Sequence, residues 1–324
     1  MTLVPTLPAH LVATPVLERL TGQRAGVVLG AGTSACWVDL DGFVVTITTR
    51  EVPLLPNAAA LAARSGTLHR PGAAPGGVAR FAPGRIDLGA LRATWDPAAP
   101  PAWDPTVREA TQAGPEALAR RGAALLAALA KPGADQNTEL RAVDSRGPAA
   151  RESAILVREL VDELARIGLP TTTDPDGAAA LGRLFRAVRE RDPEPAAGAA
   201  HGLLGRGPGL TPEGDDLLAA VAGTLAVLGP AAGWDRSALT RFRAALVAPA
   251  RERTTALSAT LLELATRRQL IESAGRLLDL DPDGEGAWPP ALARLERLGH
   301  GSGRAYAAGI AATTRLLAGG SPVR

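Results

Sequence analysis

The stretch from Gly205 to Asp216 (Gly-Arg-Gly-Pro-Gly-Leu-Thr-Pro-Glu-Gly-Asp-Asp) holds four glycines and two prolines. The apolar run Leu217 to Leu228 follows at once. Chemistry of this kind predicts a tight, glycine-permissive turn that opens a buried helix. Thr211 is the expected N-cap and Pro212 the first helical residue, where a missing N–H costs nothing. Glu213, Asp215 and Asp216 put negative charge in the first turn, where the helix dipole favours it. A well-capped core helix accounts for this much.

Capping does not require the other glycines. Gly205, Gly207 and Gly209 let backbone N–H groups approach a ligand and form an anion-binding nest. Gly214 gives up about 1 kcal/mol of helix propensity relative to Ala, which suits close packing against the backbone there. Asp215 and Asp216 project about 100° apart on a helix, so they can serve different roles. The stretch lacks the Lys-Ser/Thr ending of a phosphate-binding P-loop, and no strand-like run precedes it as in a dinucleotide-binding fold. Capping and ligand binding both remain open on these residues alone.

Two more segments break the Ala/Leu-rich helical pattern. Arg251, Thr254, Thr255 and Ser258 fall within two turns of a predicted helix, Arg251–Ala265. Arg251, Thr255 and Ser258 share one face, a row suited to a carboxylate or phosphate. The alternative is that the hydroxyls bond back to helix carbonyls. His300-Gly-Ser-Gly303 joins two helices, with Ser302 as a natural N-cap and His300 a candidate acid or base. His10, His69 and His201 share no metal-ligand spacing, and the chain has no Gly-x-Ser-x-Gly nucleophile elbow.

Taken in this order, three motifs resemble one bacterial family: Gly207-Pro-Gly-Leu-Thr-Pro-Glu-Gly-Asp-Asp-Leu-Leu218, Arg253-Thr-Thr-Ala-Leu-Ser258 and Gly299-His-Gly-Ser-Gly303. The family is that of the AllH-type subunit of oxamate carbamoyltransferase, used in allantoin breakdown. The likeness runs from about His201 to Leu317. Glu213 stands where the family usually has Ser, and Arg304-Ala305 where it commonly has Trp-Asp. The resemblance implies carbamoyl transfer between oxamate and phosphate, by a subunit working with two unlike transcarbamylase subunits. Under that reading Asp215, Asp216 and His300 are the candidate catalytic residues. A small anionic substrate would be held by Gly207, Gly209, Thr211, Arg251, Thr254, Thr255, Ser258 and Ser302. No cofactor is specified, although the two aspartates with His300 are a candidate site for a divalent or monovalent cation. The rival reading is a non-catalytic protein that binds a small anion or serves assembly.

Composition bounds the rest. A chain of 324 residues with 46% hydrophobic and 21% charged residues is globular, with only 3% aromatics, so Ala, Leu and Val fill the core. Lys131 is the only lysine, and the net charge of +2 shows no basic stripe with interleaved aromatics, which argues against nucleic acid. One cysteine, Cys36, excludes an intrachain disulfide and fits a reducing cytoplasm. No secretory signal and no membrane-length apolar run is read.

The expected fold is α+β: a small N-terminal β-rich domain followed by a larger all-helical domain with a buried central helix. Residues 1–21 read as a helical segment, 22–105 as the β-rich domain and 106–324 as the helical domain carrying the site. Asp41-Gly42 between two β-rich runs predicts a hairpin. Ala58 to Arg64 reads as a short helical piece.

Overall fold

The structure is a computed structural model, and it describes residues 5–68, 74–89, 91–130, 148–280 and 287–319. Its first part is a sheet of β1 (Thr6–Ala13), β2 (Arg24–Ala31), β3 (Ala35–Leu40), β4 (Phe43–Thr49), β5 (Ala58–Leu61), β6 (Val78–Ala82), β7 (Arg85–Asp87), β8 (Arg92–Thr94) and β9 (Ala102–Trp103). The order is β5-β4-β3-β2-β6-β7-β8-β1, and β1 pairs back onto β5, which closes an eight-stranded barrel; β9 adds to β1 outside the ring. Closure leaves no open sheet edge among these eight strands. The predicted hairpin is present: Leu40 pairs with Phe43 across Asp41 and Gly42, both at positive φ as a two-residue hairpin turn of this kind requires.

This corrects the expected fold. The chain is α+β, but its β part is a closed barrel over residues 6–103, and its first strand lies inside the segment read as helical. Among the described residues of that segment only Thr14–Leu17 (α1) is helical. The Ala58 piece is a strand, not a helix. Alanine favours helix intrinsically, but here a buried strand is wedged between β4 and β1, where small side chains fit.

Helices follow: α2 (Pro115–Leu129), α3 (Pro148–Ile167), α4 (Pro170–Thr173), α5 (Pro175–Glu190), α6 (Pro193–Ala200), α7 (Glu213–Leu228), α8 (Arg236–Arg253), α9 (Ala256–Ala265), α10 (Glu272–Leu277), α11 (Trp288–Leu295) and α12 (Ser302–Ala318). α7 is buried along nearly its whole length, as its all-round apolar sequence predicts. It packs on α12, and a Cβ added at Gly309 would meet Leu217 O at 2.9 Å, so the glycine sets the closeness of that crossing.

The helices do not form a self-contained all-helical body, which is the second correction. Leu55 and Ala58 from the barrel segment join the helical core, and Leu264 of α9 joins the barrel core. The buried amide of Val44 in β4 donates to Thr260 Oγ1 of α9 at 3.0 Å. Leu270 N donates to Pro105 O and Glu272 N to Leu54 O. β4 is buried on both faces for this reason. Thr260→Val is therefore expected to lower stability by about 1–3 kcal/mol, because it strands the Val44 N–H in the interface. Urea unfolding of the two proteins measures it. No helix among the described residues is long and apolar enough to cross a membrane.

Candidate functional site

Three segments converge where α7 begins. The first is the turn before it, with Gly205, Gly207 and Gly209 at positive φ. The second is the junction of α8 and α9, and the third is the start of α12. The N-cap position of α7 is Pro212, not Thr211. Thr211 instead shares a hydrogen bond with Ser302 of α12, Oγ to Oγ at 2.9 Å. Thr255 donates to Leu210 O at 2.6 Å. These two bonds pin the turn to α9 and α12, while Gly207–Leu210 stays exposed. The amides of Gly207 and Gly209 make no hydrogen bond among the described residues.

Gly214 is explained by the protein itself. A Cβ there would lie 2.2 Å from Leu203 O, so the close packing is against the chain's own backbone.

Both aspartates are buried, Asp215 at 2% exposure and Asp216 at 6%. Asp215 accepts the Gly205 N–H at 2.9 Å on Oδ1 and the Thr254 hydroxyl on Oδ2. Burial raises its pKa, against those two donors and the approach of Ser258. Ser258 Oγ stops short of hydrogen-bonding geometry and has no partner. Asp216 Oδ2 also has no partner. Burial pushes the Asp216 carboxyl up to about 8, opposed by nearby Ser302 and reinforced by the charges of Asp215 and Glu213. Tyr306, four residues after Ser302 on α12, is buried, and its phenol is held far above the ordinary range by that burial and then by Asp216. Glu213 accepts the Thr171 N–H at 2.7 Å, tying the helix start to α4.

So Asp215, Asp216, Thr211, Thr254, Ser258 and Ser302 come together, with Gly207, Gly209 and Thr255 in the turn and its latch. Arg251 does not join them: it is exposed and paired with Glu263 at 2.9 Å. The single helix expected through Arg251–Ala265 is broken. α8 ends at Arg253, and Thr255 caps α9 by accepting the Ser258 N–H at 3.1 Å. The shared helical face expected for Arg251, Thr255 and Ser258 therefore does not exist. His300 lies in a single 3-10 turn, Gly299–Gly301, and its side chain is outside the described residues. Sequence reasoning missed Tyr306; the available signal was that the chain's only tyrosine lies one helical turn beyond Ser302.

Arg304 has a structural task. Its guanidinium donates to Leu129 O and Ile167 O, the last carbonyls of α2 and α3, and pairs with Glu296 at 3.0 Å. A cation at two helix C-termini is favourable. Arg304→Ala is expected to lower the thermal midpoint, with a loss of about 1–2 kcal/mol and the barrel unaffected by near-ultraviolet circular dichroism.

Among the described residues no group of three or more His, Cys, Asp or Glu side chains could hold a metal. Cys36 is buried in the barrel, and burial pushes its thiol up to about 11, so it is a poor nucleophile. A cleft of about 770 Å³ lies elsewhere, where the barrel exit meets α10, lined by residues including Trp103, Thr106, Glu109, Ile271 and Arg276. It shares no residue with the acid pair. Buried polar atoms without a partner, Asp216 Oδ2 and Ser258 Oγ, lie at the acid pair.

The fold and the site thus define an α+β protein, a closed barrel docked on helices, with a hydroxyl-lined acid pair at the start of its central helix. Residues 203–314 match the family described as oxamate carbamoyltransferase subunit AllH, the family its motifs resemble. The matched region opens just before the glycine turn and closes within α12, a little over a third of the chain. No curated protein matches the chain, and neither does any solved structure.

Proposed function

We propose that this chain is one subunit of a multi-subunit oxamate carbamoyltransferase, a cytoplasmic enzyme of allantoin nitrogen metabolism. The observation that carries the reading is that the match over residues 203–314 takes in all three segments that meet around Asp215 and Asp216. In the reaction, the C–O bond of carbamoyl phosphate breaks and a C–N bond forms on the amide nitrogen of oxamate. That nitrogen loses a proton and phosphate departs. The reverse direction makes carbamoyl phosphate.

In this reading the acid pair receives the amide end of the substrate, and His300 moves the proton. The bare amides of Gly207 and Gly209 are the chain's own donors for an anion. They do not suffice for phosphate. The buried acid pair at the start of α7 offers no cation, and Arg251 is paired with Glu263. Carbamoyl transfer expels phosphate, whose charge calls for cationic groups, so in this reading the two unlike partner subunits supply them and the chain alone is inactive. A second reading, a non-catalytic anion-binding or assembly protein, draws on Arg304 and the buried Ala305, which leave no acid at that place.

Reconstitution with the partner subunits separates the two. Oxamate-dependent release of phosphate from carbamoyl phosphate is expected only when all three are present. Asp215→Asn is expected to lower turnover about a hundredfold while the complex still assembles. Undiminished turnover in that variant would make the chain an assembly factor.

A further inference from the structure

Asp215 and Asp216 are adjacent in sequence and unlike in bonding. Asp215 uses both oxygens as acceptors, for the Gly205 N–H and the Thr254 hydroxyl. Asp216 is as buried but leaves Oδ2 without a partner. The charged groups facing it are Asp215 and Glu213 of its own helix, both acidic. From α12 it meets the Ser302 hydroxyl and the Tyr306 phenol. No arginine or lysine among the described residues pairs with it; the His300 side chain, two residues before Ser302, is outside them. Asp215 and Asp216 are buried side by side, and two such acids do not both ionise away from water without a cation. Asp215 has two donors, the Gly205 N–H and the Thr254 hydroxyl, and Asp216 has the Ser302 hydroxyl alone, so Asp216 is the one that stays neutral.

A neutral carboxyl offers an O–H donor and a C=O acceptor on adjacent atoms. That is the complement of a primary amide or carbamoyl group, which offers a C=O and an N–H in the same spacing. A carboxylate or phosphate lacks the N–H. Ser258 Oγ, 3% exposed and partnerless, is a second polar atom left open at the same acid pair.

We propose that Asp216 is a specificity-determining residue, pairing as a neutral acid through two hydrogen bonds with the carbamoyl or primary-amide end of the ligand and selecting it over a carboxylate. This rests on the subunit reading above and deepens it.

The test is calorimetric titration of the full chain with oxamate and with oxalate, which replaces the amide by a carboxylate, at about pH 6 and about pH 9. Oxamate is expected to bind at least tenfold tighter than oxalate at the lower pH, and to weaken about tenfold at the higher. Asp216→Asn keeps a donor and an acceptor without titrating, so it is expected to bind oxamate equally at both. Asp216→Leu is expected to lose binding at both. Difference infrared spectra give a second readout. A protonated-carboxyl band should be present in the parent at the lower pH, absent in Asp216→Asn, and shifted by oxamate. Equal oxamate and oxalate affinity, a pH-independent parent, no oxamate binding, or an unshifted band would each overturn the pairing. If carbamoyl transfer nevertheless proceeds in the reconstituted complex, only the pairing is lost and the subunit role stands.

Discussion

Asp216→Asn is expected to raise the stability of the chain at about pH 8 by on the order of 5 kcal/mol, and to change it little at about pH 4. The Asp216 carboxyl is pushed up to about 8 in the folded chain, from an ordinary 3.8, mainly by burial. A folded value above the unfolded one means that the stability this group carries is fully present below about pH 4. It is lost as pH rises towards 8, because the unfolded chain releases the proton first. The interval is about four pH units at about 1.4 kcal/mol each. Asparagine does not titrate, so the variant keeps that stability. The residue is 6% exposed, so solvent screening does little to soften the effect. Urea unfolding of both proteins across this range measures the gap. Parallel pH profiles would mean that Asp216 is ordinarily ionised, and the pairing proposed for it would fall as well.

Much of the local structure around the candidate site was legible in the sequence because its physics is local. Glycines and prolines before an apolar run mark the start of α7 with few alternatives, and acids in a first turn follow from the helix dipole. The Asp41-Gly42 hairpin was legible for the same reason. What was not legible depends on partners distant in sequence. β1 carries Pro8 and β5 is a run of alanines. Neither reads as a strand until β1 and β5 pair and close the barrel. Thr211 looks like a cap, but its hydroxyl is claimed by Ser302, 91 residues away. Thr254 and Thr255 sit in a pattern that continues as helix in periodicity alone. They break it because one serves Asp215 and the other Leu210, contacts that only the fold creates. Arg251 was grouped with them by helical spacing, and the break sends it to Glu263 instead.

Gly214→Ala tests how rigidly that local geometry is held, and the sign is opposite to what helix propensity dictates. On propensity alone alanine in the first turn gains about 1 kcal/mol. Here its Cβ would lie 2.2 Å from Leu203 O and 3.1 Å from Arg206 Cβ. The first of these is backbone, so no rotamer relieves it. Either α7 or the Leu203–Arg206 segment must move. Movement breaks the Gly214 N–H bond to Arg206 O and the Gly205 N–H bond to Asp215. Overpacking of this kind costs about 1–3 kcal/mol and more where backbone must shift, so a net loss of about 2 kcal/mol or more is expected, together with oxamate binding. Gly182 is the control. It lies inside α5, and a Cβ there meets nothing within 4 Å, so Gly182→Ala is expected to gain up to about 1 kcal/mol. Thermal and urea unfolding of the two variants should therefore diverge on either side of the parent. If Gly214→Ala is as stable as Gly182→Ala, the Leu203 carbonyl does not press on α7. The geometry that delivers the Gly205 amide to Asp215, and so leaves Asp216 as the neutral partner, would then lose its basis.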